Sequence, residues 1–299
     1  MKYGYIGLGH LGGHLAMCLI RGGFDLVVYD LNPSLADRHV AAGAKRAHTI
    51  AELAGQVDHI ITCLPSPVVS EKVLAQMLPH LKHGATWIEN STLGRDDVLR
   101  LAEIAKGHGV DMLEAPVTGG VHLAARGEVT VLVGGEQVQF EQHKLALEKI
   151  GNRIFFMGPL GSASIIKVIT NMLAFIHLVA DTEALMLAKR GGLDLGQSWR
   201  AIQASSGNSF VHETEGQLIL NGSYDIDFTM DLALKDLGFA KKFGEDFGVP
   251  LELAQKTLET FVKGKAAYGG AAQSTQIAKL LEDQLNTDLR AEGFPAKLV

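Results

Sequence analysis

The change of pattern near residue 158 constrains the fold of this 299-residue chain more than any other feature. Up to residue 157, short apolar or β-branched runs alternate with longer segments of helical period; after Gly158-Pro159-Leu160-Gly161, nearly every segment has helical spacing. The runs that predict strands cover residues 3–6, 26–29, 60–63, 86–88, 129–133 and 154–156. Because alternating strands and helices are typical of a mostly parallel, doubly wound sheet, we expect an α/β domain over residues 1–161 and an all-helical domain over residues 162–299.

One long helix is predicted where the two halves join. Either Ser162 or Ser164 can cap its start, and it should end near Arg190, before Gly191. At 1.5 Å per residue this helix is about 40 Å long. We expect it to link the domains and to carry side chains towards an interdomain cleft, where active sites often form.

Charge and composition exclude several classes of partner. Lys and Arg total 27 against 33 Asp and Glu, a net charge of −6 that would repel the phosphate backbone of nucleic acids. The longest apolar region, residues 165–187, is interrupted by Lys167, Asn171, His177, Asp181 and Glu183 and is short of the roughly 20 uninterrupted residues that a membrane span needs. We therefore expect neither a nucleic acid nor a membrane as partner.

Cysteine and histidine usage indicates the compartment and argues against a metal. Cys18 and Cys63 form neither a disulfide framework nor a metal-spaced cluster, and the 12 histidines show no H-x-x-x-H or H-x-H arrangement with supporting carboxylates. The first residues run directly into a predicted strand, without the pattern of an export signal. We expect a cytoplasmic protein without a metal site.

A glycine-rich turn lies between the first predicted strand and the first predicted helix. Gly7-Leu8-Gly9-His10-Leu11-Gly12 matches G-x-G-x-x-G, in which the successive glycines permit a tight turn, approach of a pyrophosphate, and helix packing. Asp30 ends the second strand, where a carboxylate can bind ribose hydroxyls and would repel a 2′-phosphate. The pattern predicts a dinucleotide site that prefers NAD to NADP; the alternative is a solvated aspartate at a strand end.

A second glycine pair follows a predicted strand end at residues 114–120. Thr118 offers a hydroxyl group, and Gly119 and Gly120 offer unobstructed backbone N–H groups. Together these groups can hold a small carboxylate. These residues are equally compatible with an ordinary Gly-Gly turn.

Lys167 lies among aliphatic residues on the long predicted helix. A buried ammonium group is costly unless it is paired or used, and desolvation makes such a lysine suitable as an acid or base near neutral pH. Asn171 lies one turn further on, on the same face of the helix. The alternative is a lysine that extends its head group to the surface, and these residues alone favour that alternative.

At this point the chain resembles the β-hydroxyacid dehydrogenases, a family that includes 3-hydroxyisobutyrate dehydrogenase and tartronate semialdehyde reductase. The resemblance covers nearly the whole chain. It rests on Gly7-Leu8-Gly9 with Gly12, Leu64-Pro65, Ser91-Thr92, residues 115–120, Gly127, Val133-Gly134-Gly135, residues 161–171, Ser205-Ser206-Gly207 and Lys235-Asp236-Leu237.

The resemblance implies an NAD-dependent oxidoreductase that interconverts a small 3-hydroxy acid and its semialdehyde by hydride transfer, as a homodimer or homotetramer. Lys167 would be the general acid/base, and Asn171 would position the reacting oxygen. Residues 118–120 would hold the carboxylate of the substrate. The residues implied to contact the cofactor beyond the glycine turn and Asp30 are Leu64, Pro65, Thr92 and Lys235.

The chain departs from the family pattern in ways that leave its substrate open. Glu114 replaces the usual Asp before Ala-Pro-Val, and Thr118 replaces Ser before the paired glycines; both changes keep the chemistry. His122 follows the carboxylate loop where small residues are common. Residues 210–212, Phe-Val-His, are candidates for determining specificity.

Other functions remain as alternatives. The related 6-phosphogluconate dehydrogenases have a His and a Glu where this chain has Thr170 and Ala174, which argues against such an enzyme. Lys167 argues against imine reductases, which generally lack it. The alternative from another class is an NAD-binding sensor or scaffold without catalytic activity.

Overall fold

The computed structural model describes residues 1–298. The chain forms two compact units, which meet in the sequence between Lys167 and Val168, a few residues after the predicted domain boundary. The strands of the first unit are β1 Lys2–Ile6, β2 Asp25–Tyr29, β3 Lys45–Arg46, β4 His59–Thr62, β5 Thr86–Glu89, β6 Asp111–Glu114, β7 Val117–Thr118, β8 Val129–Gly134 and β9 Gly151–Gly158. The α-helices of the chain are α1 Gly12–Arg21, α2 Asp37–Ala41, α3 Ile50–Ala54, α4 Pro67–Met77, α5 Arg95–Lys106, α6 Gly120–Arg126, α7 Gln137–Ile150, α8 Ser162–Arg190, α9 Leu195–Gln203, α10 Phe210–Asn221, α11 Met230–Phe247, α12 Glu252–Tyr268 and α13 Lys279–Leu285.

The strands of the first unit form one mixed sheet in the order β3-β2-β1-β4-β5-β6-β8-β7, with β9 also paired to β8. Strands β1 to β6 pair in parallel, whereas β8 runs antiparallel to β6 and β7. The order confirms the predicted doubly wound α/β fold. Because β2 and β4 flank β1, the strand order reverses beside β1, and the carboxyl ends of the strands there are the usual binding position in such sheets.

Helices cover both faces of this sheet, which explains the uninterrupted apolar runs in its central strands. On one face Tyr3 and Tyr5 pack with Leu15 and Leu19 of α1. The other face buries Trp87 and its neighbours under α3, α4 and α5. A completely buried large side chain contributes roughly 1.5–3 kcal/mol, so these two layers hold the strand ends in place.

Three strands lack a clear sequence signal. β3 and β7 are two residues long, and β6 has only two apolar residues between Asp111 and Glu114. Pairing with neighbouring strands stabilises them, because β6 aligns residue by residue with β5, and β7 with β8. Their formation depends on tertiary partners more than on local propensity.

The second unit is helical, as predicted. The β-type pairing among its described residues is limited to one isolated bridge, between Thr229 and Gln273. Its core includes Phe175 and Phe261, whose rings meet edge to face at a centroid distance of 5.3 Å.

His212 lies inside this second unit, not at a surface that could contact a substrate. Its Nδ1 lies 2.5 Å from Oδ1 of Asp181, and its Nε2 lies 2.9 Å from the carbonyl oxygen of Trp199. The expectation that His212 determines specificity is therefore wrong, because both ring nitrogens already have partners in the interior. Phe210, two residues earlier, is exposed.

Helix α8 is unusually long and apolar. Among residues 1–298 it is the one helix whose length and composition would let it cross a membrane. A third of its most apolar 18-residue stretch is buried inside the protein. Length and apolar composition alone are weak evidence for a membrane span, because core helices of soluble proteins share both properties. Lys167 and Asp181 interrupt its apolar run.

Candidate active site

Five segments that contain predicted site residues, or residues next to them, lie at strand ends along one edge of the sheet. The glycine turn follows β1, Asp30 follows β2, Leu64 follows β4, Thr92 follows β5, and Glu114 ends β6. These strands are parallel, so their carboxyl ends share one edge. The fold therefore brings together segments that lie far apart in the sequence.

The three glycines of the turn serve different purposes. Gly7 has a φ of +97°, and a Cβ there would lie 2.2 Å from the carbonyl oxygen of Cys63. A Cβ at Gly12 would lie 2.2 Å from the carbonyl oxygen of Gly7. A Cβ at Gly9, by contrast, would meet no protein atom within 4 Å. The protein's own packing requires glycine at the first and last positions, whereas the open space at Gly9 fits the close approach of a pyrophosphate.

The start of α1 supplies the electrostatic part of this site. Its first turn contains no acidic residue, and Gly9 and His10 before it are exposed. The positive end of a helix dipole favours an anionic ligand. The residues present therefore fit the diphosphate of a dinucleotide.

Asp30 supports the glycine turn directly. Its Oδ2 accepts a hydrogen bond from Leu8 N at 2.7 Å, and its Oδ1 accepts one from Asn32 N at 2.8 Å. The carboxylate therefore has a structural role that the sequence pattern did not indicate. Each oxygen keeps a second lone pair with which to accept a ribose hydroxyl.

Leu64, Pro65 and Thr92 lie on two turns joined by a buried serine. Leu64 N donates to Oγ of Ser91 at 2.6 Å, and Ser91 Oγ donates to Oε1 of Glu89 at 2.5 Å. Burial raises the pKa of Glu89, and the hydrogen bonds from Ser91 partly oppose that shift. Glu89 and Ser91 are therefore supporting residues of this edge that sequence reasoning missed.

The predicted carboxylate loop leaves β7 at Thr118 and enters α6 at Gly120. Gly119 and Gly120 have φ values of +127° and +85°, which other residues rarely adopt. Gly120 is exposed, while Thr118 and His122 are half-buried. Burial lowers the pKa of His122, and the positive charge of Arg126 lowers it further, so its imidazole favours the neutral form.

Lys167 lies in the second turn of α8 and is 7% exposed. Its head group is therefore not extended into bulk water, as the surface alternative requires. The first turn of the same helix is capped by a distant carboxylate rather than by the predicted Ser162 or Ser164. Glu114 accepts hydrogen bonds from the backbone N–H groups of residues 161, 163 and 164.

The second unit holds the other two predicted site residues. Asn171 Nδ2 donates to Oδ2 of Asp236 at 2.6 Å, and Nζ of Lys235 lies 3.1 Å from Oδ1 of the same carboxylate. Asp236 is 1% exposed and links the two residues. Sequence reasoning missed this role, although its spacing from Ala233, three residues earlier, places Asp236 on the buried face of α11.

The described residues therefore contain two partial sites. The first unit holds the glycine turn, Asp30, the two supported turns, the carboxylate loop and Lys167; the second unit holds Asn171 and Lys235. Among residues 1–298 no three His, Cys, Asp or Glu side chains are grouped as a metal site would need.

Comparison with known proteins identifies the family. Residues 2–158 match the NAD binding domain of 6-phosphogluconate dehydrogenase, and residues 161–281 match the family described as NAD-binding of NADP-dependent 3-hydroxyisobutyrate dehydrogenase. The chain is 30% identical to 2-(hydroxymethyl)glutarate dehydrogenase of Eubacterium barkeri, with 94% of this chain and 95% of that protein covered. It is also 30% identical to L-threonate dehydrogenase of Escherichia coli K12, with 93% of each covered.

A solved structure agrees with these matches. The 3-hydroxyisobutyrate dehydrogenase of Salmonella typhimurium superimposes with a TM-score of 0.88 at 29% identity, with 94% of this chain and 99% of that chain covered. The resemblance noted from the motifs is confirmed: the chain belongs to the β-hydroxyacid dehydrogenase family and is an NAD(P)-dependent hydroxyacid dehydrogenase.

Proposed function

We propose that this protein interconverts a small 3-hydroxy acid and its semialdehyde, with NAD as cofactor and Lys167 as general acid/base. The observation that carries the proposal is the burial of Lys167 on a helix whose start is hydrogen-bonded to the end of β6. A short segment after β6 leads to the carboxylate loop. A buried ammonium group on a helix that is hydrogen-bonded to the strand before this loop suits proton transfer to an oxygen of an acidic substrate.

Each site residue has a distinct task in this proposal. The backbone N–H groups of Gly119 and Gly120 and the hydroxyl group of Thr118 hold the carboxylate of the substrate. When bound, the nicotinamide supplies the hydride for reduction or accepts it in oxidation. In reduction protonated Lys167 donates a proton to the carbonyl oxygen, and in oxidation its neutral form removes the hydroxyl proton. Asn171 holds that oxygen in place through its side-chain amide.

The preference for NAD rests on Asp30. Its carboxylate would repel a 2′-phosphate, and no arginine follows within Leu31-Asn32-Pro33 to receive one. We expect kcat/KM with NADH to exceed that with NADPH by about tenfold or more, which corresponds to roughly 1.4 kcal/mol of discrimination. Equal values for the two cofactors would contradict this part of the proposal.

Replacing Lys167→Ala tests the chemistry. We expect the variant to bind NADH normally but to lose about 10²- to 10⁴-fold in kcat, the usual contribution of general acid–base catalysis. Lys241→Ala, which changes an exposed lysine of α11, is the matched control and should keep full activity. NADH binding is measured by fluorescence titration, and turnover by absorbance.

A panel of methylmalonate, tartronate, succinic and sulfonated semialdehydes identifies the substrate. The relatives include dehydrogenases of 3-hydroxyisobutyrate and L-threonate, which supports a small hydroxy acid as the substrate. If the wild-type protein binds NADH but converts no member of the panel, the sensor or scaffold is favoured instead. If Lys167→Ala has normal rates, the assignment of the acid/base is wrong.

We also propose that the protein works in the cytosol as a homodimer or homotetramer. Ile169, Leu173 and Leu187 share one face of α8 and are exposed, Leu187 by 75%. An exposed apolar stripe of this kind favours association with a second copy. Light scattering coupled to gel filtration measures the mass, and a monomer of 32.0 kDa at micromolar concentration would contradict the proposal.

A further inference from the structure

Helix α8 begins with its backbone N–H groups bonded to a side chain from another element. The first N–H groups of any helix lack partners within the helix. Here Oε1 of Glu114 accepts hydrogen bonds from Gly161 N at 2.7 Å and Ala163 N at 3.0 Å, and Oε2 accepts one from Ser164 N at 3.0 Å. One carboxylate therefore fixes the position and direction of the helix start.

The surroundings of Glu114 are shaped to hold this carboxylate. The side chain is 1% exposed, and burial raises its pKa while the three backbone hydrogen bonds oppose that shift. Gly134, its antiparallel partner on β8, leaves the necessary space. A Cβ at Gly134 would lie 2.3 Å from Oε1 and 3.0 Å from Cδ of Glu114.

Glu114 lies between two parts of the proposed site. Lys167 follows Ser164 by three residues on the same helix, a rise of about 4.5 Å. On the side of the carboxylate loop, Thr118 follows Glu114 by four residues, and the intervening residues 115–117 are buried. Both connections lie within the first unit.

We propose that Glu114 is a positioning residue: by capping α8 from the end of β6, it fixes Lys167 relative to the carboxylate loop. This inference rests on the proposed function of Lys167. Glu114 does not touch the reacting atoms. Its effect is on the alignment of proton donor and substrate, for which an error of about 1 Å can cost roughly 10²-fold in rate.

Glu114→Gln tests this role with an isosteric change. An amide has one acceptor oxygen, and its NH₂ group must face a backbone N–H that had a carboxylate partner. We expect kcat to fall by about 10- to 100-fold, while the Kd for NADH stays within about twofold of the wild-type value. Glu282→Gln is the matched control, because Glu282 is a similarly buried carboxylate that accepts a hydrogen bond from Leu289 N at 2.7 Å. The control should keep its kcat.

A double-mutant cycle with Gly134→Ala covers the case in which Glu114→Gln does not fold. The added methyl group should displace the Glu114 carboxylate and lower kcat. Glu114→Asp, one methylene shorter, should lower kcat in the wild-type background, where it cannot reach the helix start, but should cost little further kcat in the Gly134→Ala background, where the cap is already lost. An equal loss in both backgrounds would overturn the proposal.

The outcomes separate this inference from the proposed function. If the wild-type enzyme turns over a semialdehyde, Lys167→Ala does not, and Glu114→Gln keeps the wild-type kcat, the positioning role is overturned and the function of Lys167 stands. If the wild-type enzyme converts no substrate, or Lys167→Ala is fully active, the proposed function fails and the positioning role fails with it. A kcat lost in Glu114→Gln with NADH affinity retained supports the proposal.

Discussion

Gly9 and Gly12 belong to the same turn, yet the structure predicts opposite consequences for adding a methyl group to each. At Gly9 the new carbon would have no protein atom within 4 Å, so Gly9→Ala should change the free energy of unfolding by less than about 0.5 kcal/mol. The methyl group would instead occupy the space of the cofactor's diphosphate. Loss of one charge-assisted hydrogen bond, worth about 1.5–3 kcal/mol, should raise the Kd for NADH by about 10- to 100-fold.

At Gly12 the new carbon would lie 2.2 Å from a carbonyl oxygen and 2.9 Å from Cβ of Cys63. Overpacking of this kind costs about 1–3 kcal/mol. In a unit of this size each kcal/mol lowers Tm by roughly 2–4 °C, so Gly12→Ala should lower Tm by about 2–12 °C. The loss of stability should be measurable without NADH.

Calorimetry without cofactor and fluorescence titration with NADH distinguish the two effects. Gly55→Ala is the control, because its new carbon would meet its nearest protein atom at an ordinary 3.6 Å and lies outside the glycine turn. The reasoning predicts a stable Gly9→Ala that binds NADH weakly. If Gly9→Ala bound NADH as tightly as the wild-type protein, the turn would not be the diphosphate site.

Two further predictions concern the second unit. Asp236→Ala should lower kcat by about tenfold or more, because Asn171 and Lys235 lose the carboxylate that links them; unchanged kinetics would refute this role. Burial, and to a smaller extent the nearby Asp181 charge, together raise the pKa of Glu215 to about 8. Burial opposes the charged form of His212, but its hydrogen bond to the same carboxylate leaves its pKa raised above 6.5. The folded state thus binds both protons more tightly than the unfolded chain, so stability should fall as pH rises, for Glu215 between about 4.5 and 8. The Tm of Glu215→Gln minus that of the wild-type protein should therefore grow from pH 5 to pH 8, and a constant difference would contradict the assignment.

The sequence alone predicted the structural features that depend on a local pattern of residues. The alternation of strands and helices predicted the doubly wound sheet, and the later helical spacing predicted the second unit. The turn from Gly7 to Gly12 was recognisable because its glycine spacing between a strand and a helix is a local pattern. The aliphatic neighbours of Lys167 did not settle its burial, because those residues alone favoured a head group extended to the surface, and the structure was needed to show it buried.

Tertiary structure decided the features that join distant residues. No local signal in the Ser162 region shows that its N–H groups bond to Glu114, about fifty residues earlier, or that Gly134 leaves room for that carboxylate. Asp236 likewise acquires its role only when α8 and α11 pack. Periodicity reports which side of an element is buried, whereas the partner of a buried polar group depends on how separate elements pack together.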